Sequence, residues 1–186
     1  MAVSAFEGLV YGRGYEQQTG LVTDEMWQKM QEPIAFGPRR AEVRAGATHV
    51  EIYLQIQVML VFTDGRLRLA THISSGSGRQ WCEVISQDTD DNGAPLPTPI
   101  LKDVCGVSKT PGGVFHFYRR YEGKRLGPLG GMMNPVYFNY GIAVHGADNV
   151  PQEPASHGCI RIPQWIAEYF PTYVNSDGRK GDYVYV

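Results

Sequence analysis

Alternation of apolar and polar side chains first becomes sustained at residues 49–62, where Ile52, Leu54, Ile56, Val58 and Leu60 interleave with Glu51, Tyr53, Gln55 and Gln57. A period of two sends successive side chains to opposite faces, so the stretch reads as a strand with one buried face. Asp64-Gly65 separates it from a second such run at 67–74, and Asp-Gly between β-rich runs signals a hairpin. Further strands are expected at 113–118, 136–144 and 183–186. One helix is expected at 163–170, opened by Pro163, with Ile162, Ile166, Tyr169 and Phe170 on one side. The architecture expected for 48–186 is mainly β, a sandwich or barrel with one packed helix.

Residues 1–37 follow another pattern. Residues 5–9 form a short helical fragment, and Gly12, Gly14 and Gly20 punctuate a loop. Residues 23–30 carry Thr23 as N-cap, acids in the first turn, and Met26, Trp27 and Met30 on one face. The segment reads as a small helical N-terminal extension, joined to the rest by a linker at 38–47. The glycine-rich stretch 126–131 lacks the strand-to-helix context and the Lys of a phosphate loop, and reads as a flexible flap.

Composition acts by exclusion. A chain of 186 residues, 42% hydrophobic, can bury one sizeable core. A net charge of -2, with basic residues clustered no further than pairs such as Arg39-Arg40 and Arg119-Arg120, gives no attraction to nucleic acid. The longest apolar run, 58–62, is far short of a membrane span, and the first ten residues lack the basic start and apolar core of a signal peptide. Of the three cysteines, Cys82 and Cys105 flank a loop rich in Asp, Gly and Pro at 88–99. In an exported protein a disulfide between them would contribute about 3 kcal/mol and leave Cys159 as the free thiol. The alternative is that both are small unpaired hydrophobes.

The chemistry concentrates at 145–161. Cys159 follows Ser156-His157-Gly158, precedes Ile160-Arg161, and lies fourteen residues after His145-Gly146, the inventory of a thiolate nucleophile with candidate bases. Strand alternation along 136–145 sends Val136, Phe138, Tyr140, Ile142 and Val144 to the core, and lines a trough with Tyr137, Asn139, Gly141, Ala143 and His145. His145 is the expected base, with the Gly146 carbonyl orienting its other ring nitrogen; His157 is the competing base or a structural residue. The Gly158 and Cys159 amides are the expected oxyanion donors, and Arg161 serves either the oxyanion or a substrate carboxylate. No second short-range ligand pair completes a zinc site, so no metal or other cofactor is expected.

These residues closely resemble the signature of the L,D-transpeptidase catalytic domain (YkuD-like) family, in which His-Gly is followed by Ser/Thr-His-Gly-Cys and then Arg or Asn. Residues 110–115, Thr-Pro-Gly-Gly-Val-Phe, resemble that family's Thr-Pro-x-Gly-x-Phe turn, and 135–146 its active-site strand. The resemblance covers 48–186, while 1–37 is similar to the later part of a peptidoglycan-binding helical module; a plain helical extension packed on the main domain is the alternative. The resemblance implies that Cys159 attacks the third residue of a peptidoglycan tetrapeptide stem, releases D-alanine and passes the acyl group to a neighbouring stem. With water as acceptor the same site is an L,D-carboxypeptidase. It further implies substrate contacts from Tyr137, Asn139, Gly146, Ser156 and Met132, acylation by carbapenem-type β-lactams, and work outside the cytoplasmic membrane. The rival readings are a cell-wall cysteine peptidase, although those place Cys before His in the chain, and a non-catalytic cell-wall binding protein.

Overall fold

The computed structural model describes residues 2–40, 47–89, 95–127 and 129–186. Most of the expected linker, the tip of the 88–99 loop and Pro128 of the flap lie outside the described residues. The extension begins with helix α1 (Ala2–Tyr11), followed by α2 (Asp24–Met30), whose N-cap Thr23 accepts a hydrogen bond from the Met26 amide. Only Met26 of the expected apolar face is buried; Trp27 stands 61% exposed.

The first β region is two strands rather than one. β1 (Thr48–Tyr53) and β2 (Val58–Thr63) pair antiparallel about a turn at 54–57. Gln57 ends that turn at φ 51, a left-handed conformation unusual for a residue other than glycine. Its fully buried side-chain amide secures it, accepting from the Ser75 amide (2.9 Å) and donating to Ser75 Oγ (2.9 Å). β3 (Arg66–His72) follows the Asp64-Gly65 turn, where φ is 54 and 70, the mirror-image geometry that matches strand twist. β2 is buried on both faces. Met59 and Val61 enter the main core, whereas Val58, Leu60 and Phe62 pack on the other side with Ala5 and Leu9 of α1.

β4 (Gln80–Thr89) and β5 (Pro95–Val107) form a separate two-stranded ribbon that the sequence reading did not predict, and they extend into both ends of the expected 88–99 loop. Cys82 and Cys105 are directly opposed in its register and joined by a disulfide, Cα to Cα 4.1 Å. After β6 (Val114–His116) and β7 (Arg119–Arg120), the expected flap is a paired hairpin of β8 (Lys124–Gly127) with β9 (Gly130–Asn139). The chain then turns at Tyr140-Gly141 into β10 (Ile142–Ala147), so the run expected as one strand is two, and Tyr140 is at the surface, not in the core.

β11 (Ile160–Pro163) leads into two short helices, α3 (Gln164–Ala167) and α4 (Phe170–Tyr173), in place of one. The break at 168–169 leaves Tyr169 exposed while Ile166 and Phe170 stay buried. α3 lies close on β10 because Gly146 has no side chain: a Cβ there would fall 2.7 Å from Ala167 Cβ. β12 (Tyr183–Tyr185) completes one open sheet in the order β3-β2-β1-β12-β6, and the second runs β11-β10-β9-β7 with β8 on β9. Val50, Ile52 and Val184 of the first meet Val136, Phe138, Val144, Ile160 and Ile162 of the second in one core, capped by Ile166 and Phe170. The architecture is mainly β, with facing sheets that do not close into a barrel.

Protein produced under oxidising conditions is expected to show one free thiol when denatured without reductant and three after reduction. A count of three before reduction would contradict the bridge.

Candidate active site

β10 and β11 pair in parallel, with Val144 opposite Ile160, His145 opposite Arg161 and Gly146 opposite Ile162. Alternation then sends Val144, Ile160 and Ile162 into the core and turns His145, Arg161 and Cys159, two residues before Arg161, to the other face. Adjacent parallel strands need a crossover of a dozen or more residues. Residues 148–159 supply it, which accounts for the long spacing between the histidine and the cysteine.

The end of the crossover is fixed by hydroxyl groups. Ser156 Oγ donates to the Cys159 carbonyl (2.5 Å) and accepts the Gly158 amide (3.0 Å). Thr110 Oγ1 donates to the Gly158 carbonyl (2.8 Å) and accepts the Gly76 amide (2.9 Å), giving the Thr-Pro turn a direct hold on the cysteine loop. Gly158 adopts φ +135, and a Cβ there would lie 3.0 Å from the Lys109 carbonyl oxygen, so glycine is required. The Gly158 amide is committed to Ser156 and is therefore not a free oxyanion donor, contrary to the sequence-based expectation. Ser156 is likewise buried and spent on the loop, although it borders the cleft.

His145 is buried, and its Nδ1 lies 3.0 Å from the Gly146 carbonyl. A carbonyl only accepts, so Nδ1 carries the proton and neutral Nε2 keeps its lone pair. Burial lowers the imidazole pKa below its ordinary value; the Gly146 bond opposes this and the Arg161 charge adds to it. Burial raises the Cys159 thiol, partly offset by a hydrogen bond from the Ala143 amide and by Arg161. Both shifts favour a neutral thiol beside a neutral imidazole at rest. Cys159 Sγ also lies 3.7 Å from the Gly141 carbonyl.

The sulfur opens on a cleft of about 990 Å³. His145, Ser156, His157 and Arg161 border it, as do Gly146 and Met132; the ribbon contributes Trp81, Ile85 and Val104, and the β8–β9 hairpin Lys124 and Leu126. Arg161 makes no ion pair or side-chain hydrogen bond among the described residues, while His157 Nε2 meets Glu83 Oε1 at 3.0 Å and its ring stands edge-on to Trp81, centroids 4.9 Å apart. Sequence reasoning missed this ribbon partnership. Its only trace was the β-forming character of Trp81, Val84 and Ile85.

Tyr137 and Asn139, expected in the substrate trough, are not among the side chains that border this cavity, although Tyr137 lies near enough to Cys159 to feel its charge. Arg119, opposite Tyr137 in the β7–β9 register, sets its guanidinium 4.6 Å over the ring, and the Tyr137 hydroxyl accepts from Arg125 (2.6 Å). Asn139 ends β9, beside the turn that breaks the expected strand.

Comparisons with known proteins bear on the family and the fold. A family profile described as the YkuD L,D-transpeptidase catalytic domain matches residues 47–186. No curated protein matches the chain in sequence. Among solved structures, the L,D-transpeptidase (residues 123–326) from Xylanimonas cellulosilytica is similar at 27% identity and TM-score 0.72, over 99% of this chain and 78% of that one. An L,D-transpeptidase from Stackebrandtia nassauensis shares the fold at 16% identity and TM-score 0.53, over 100% of this chain and 75% of that one. One from Mycobacterium smegmatis does so at 17% identity and TM-score 0.50, over 75% of this chain and 58% of that one. The chain belongs to the L,D-transpeptidase catalytic domain (YkuD) family.

Proposed function

We propose that the chain is a cysteine acyltransferase, an L,D-transpeptidase acting on peptidoglycan stem peptides. The observation that carries the reading is the β10–β11 register, which turns Cys159, His145 and Arg161 to one face beside the cleft. In the proposed reaction His145 Nε2 takes the Cys159 proton as sulfur attacks the carbonyl of the third stem residue. With the Gly158 amide occupied, the developing oxyanion falls to the Cys159 amide and the Arg161 guanidinium. The C–N bond to D-alanine breaks, the imidazolium returns its proton to the leaving amine, and a thioester remains. An amine of a neighbouring stem then displaces the sulfur, restoring the thiol; water in its place would make the same site a carboxypeptidase. His157 is assigned to holding the ribbon, since its Nε2 already faces Glu83.

The pairing of Cys82 with Cys105 supports work in an oxidising compartment outside the cytoplasmic membrane. No helix among the described residues is long and apolar enough to cross a membrane.

Cys159→Ala should abolish release of D-alanine from a tetrapeptide stem while the melting temperature is kept, and His145→Gln should cost about 10²-fold or more in rate. Turnover by Cys159→Ala would refute the nucleophile; a larger loss in His157→Gln than in His145→Gln would move the base to His157.

Incubation with a carbapenem should add one inhibitor mass, mapped by peptide mass spectrometry to Cys159. An adduct elsewhere, or none, would contradict the proposed site.

The pH dependence follows from the direction of the His145 shift. A depressed imidazole pKa keeps the base neutral, and so competent, below the ordinary value of 6.5. The rate of Cys159 acylation should therefore rise with pH along a limb centred below 6.5, and His145→Gln should abolish that limb. A limb centred above that value would show that His145 is not desolvated in the working enzyme.

A further inference from the structure

The crossover that carries Cys159 back beside His145 has no helix or strand of its own between 148 and 159; Gln164 holds its start at Asp148 and Thr110 its end at Gly158, and its middle is gripped from two sides. On one side the end of β3 and the residues after it hold it: His72 Nε2 donates to the Pro151 carbonyl (2.8 Å), and Ser74 Oγ donates to the Glu153 carbonyl (2.8 Å) and accepts the Ala155 amide (3.1 Å). On the other side the grip is a single side chain. Gln152 Nε2 donates to the Gln18 carbonyl (2.6 Å) and the Tyr15 carbonyl (3.2 Å), and its Oε1 accepts from Ser4 Oγ (3.4 Å). All three partners belong to the N-terminal helical unit.

That unit is cross-tied by hydrogen bonds where it meets Gln152. Glu7, with no exposed surface, accepts the Thr19 amide (2.9 Å), the Gly20 amide (2.8 Å) and Thr19 Oγ1 (2.9 Å), and pairs with Arg13 (2.8 Å). The carboxylate thus ties the 13–20 loop to α1. Gln18 then anchors the loop to the body through the Ile56 carbonyl (3.0 Å). The Tyr15 and Gln18 carbonyls that receive Gln152 are therefore fixed points.

We propose that Gln152 is a positioning residue through which the N-terminal unit braces the crossover and keeps Cys159 in register with His145. The inference rests on the proposed acyl-transfer function but concerns a residue outside the cleft. Because Gln152 does not touch the substrate space, its loss acts on the chemical step and not on substrate binding. Small displacements of reacting groups have large kinetic effects.

The test uses the whole chain and two variants, Gln152→Leu, which keeps the bulk and removes all three hydrogen bonds, and Glu7→Gln, which weakens the fixed points. D-alanine release is measured per titrated Cys159 thiol, well below the melting temperature, so that loss of folded protein is discounted. Gln152→Leu should lower kcat on the order of 10-fold with little change in KM. Glu7→Gln should lower it in the same direction, and the double variant should be no worse than the poorer single one, as expected for one path. Wild-type kcat in Gln152→Leu, a change confined to KM, or effects that multiply would each overturn the proposal. If the wild-type chain releases no D-alanine, the proposed function fails instead. The brace is then read from alkylation of Cys159 by iodoacetamide, which should change several-fold in Gln152→Leu; an unchanged rate overturns it.

Discussion

The parallel pairing of Ile160–Pro163 with Ile142–Ala147 is the constraint on which the rest depends. It settles three things together. Core side chains Val144, Ile160 and Ile162 fill one face, so the register cannot slip by a residue without turning the apolar set out and the reactive set in. The opposite face then receives His145 and Arg161, with Cys159 at the strand's entrance. The crossover demanded by parallel strands also becomes the segment that must deliver the cysteine, and its conformation needs support from outside itself.

That support is polar and comes from many parts of the chain. Gln57 holds Ser75, whose carbonyl accepts the Ala155 and Ser156 amides (2.9 Å each); Ser156 and Thr110 then fix Gly158 and Cys159. Buried amides and hydroxyls that are fully partnered specify a single arrangement, because a shift that breaks one bond strands its partner away from water. The cleft wall opposite is less embedded. Among the described residues the ribbon of Gln80–Thr89 and Pro95–Val107 forms a two-stranded sheet of its own, and it reaches the cysteine loop through Glu83 and Trp81 on His157. A core-packed strand pair bearing Cys159 and His145 is thus combined with walls on two hairpins, the ribbon and Lys124–Gly127 with Gly130–Asn139.

Legibility in the sequence followed the locality of the cause. The hairpin at Asp64-Gly65 and the cap at Thr23 are decided by the residues that form them, and both were readable. The turn at 54–57 was not, because Gln57 is stabilised at positive φ by Ser75, eighteen residues on, and the turn at Tyr140-Gly141 likewise lacks an Asn-Gly or Asp-Gly signal. Sidedness survived that error. Antiparallel pairing sets Val136 opposite Val144 and Tyr137 opposite Ala143, so the core stripe stayed on one face although the strand was two. That His145 and the cysteine loop meet was legible through motif spacing, but the partners of each side chain were not. That Arg119 and Arg125 pack on Tyr137 and that Glu83 meets His157 are long-range facts which no periodicity encodes, whereas the bond from the Gly158 amide to Ser156, two residues away, is local and depends on a turn geometry that motif spacing alone does not give.

The central proposal is that His145 rests neutral with its proton on Nδ1, against the Gly146 carbonyl, and that its free Nε2 serves as the base for Cys159. Nitrogen-15 NMR of the imidazole, in protein labelled at histidine and assigned with His145→Gln, reads this directly. Near neutral pH the ring should be the Nδ1–H tautomer, and its Nε2 resonance should move when Cys159 is alkylated. A proton resident on Nε2, or an Nε2 resonance indifferent to modification of Cys159, would contradict the account.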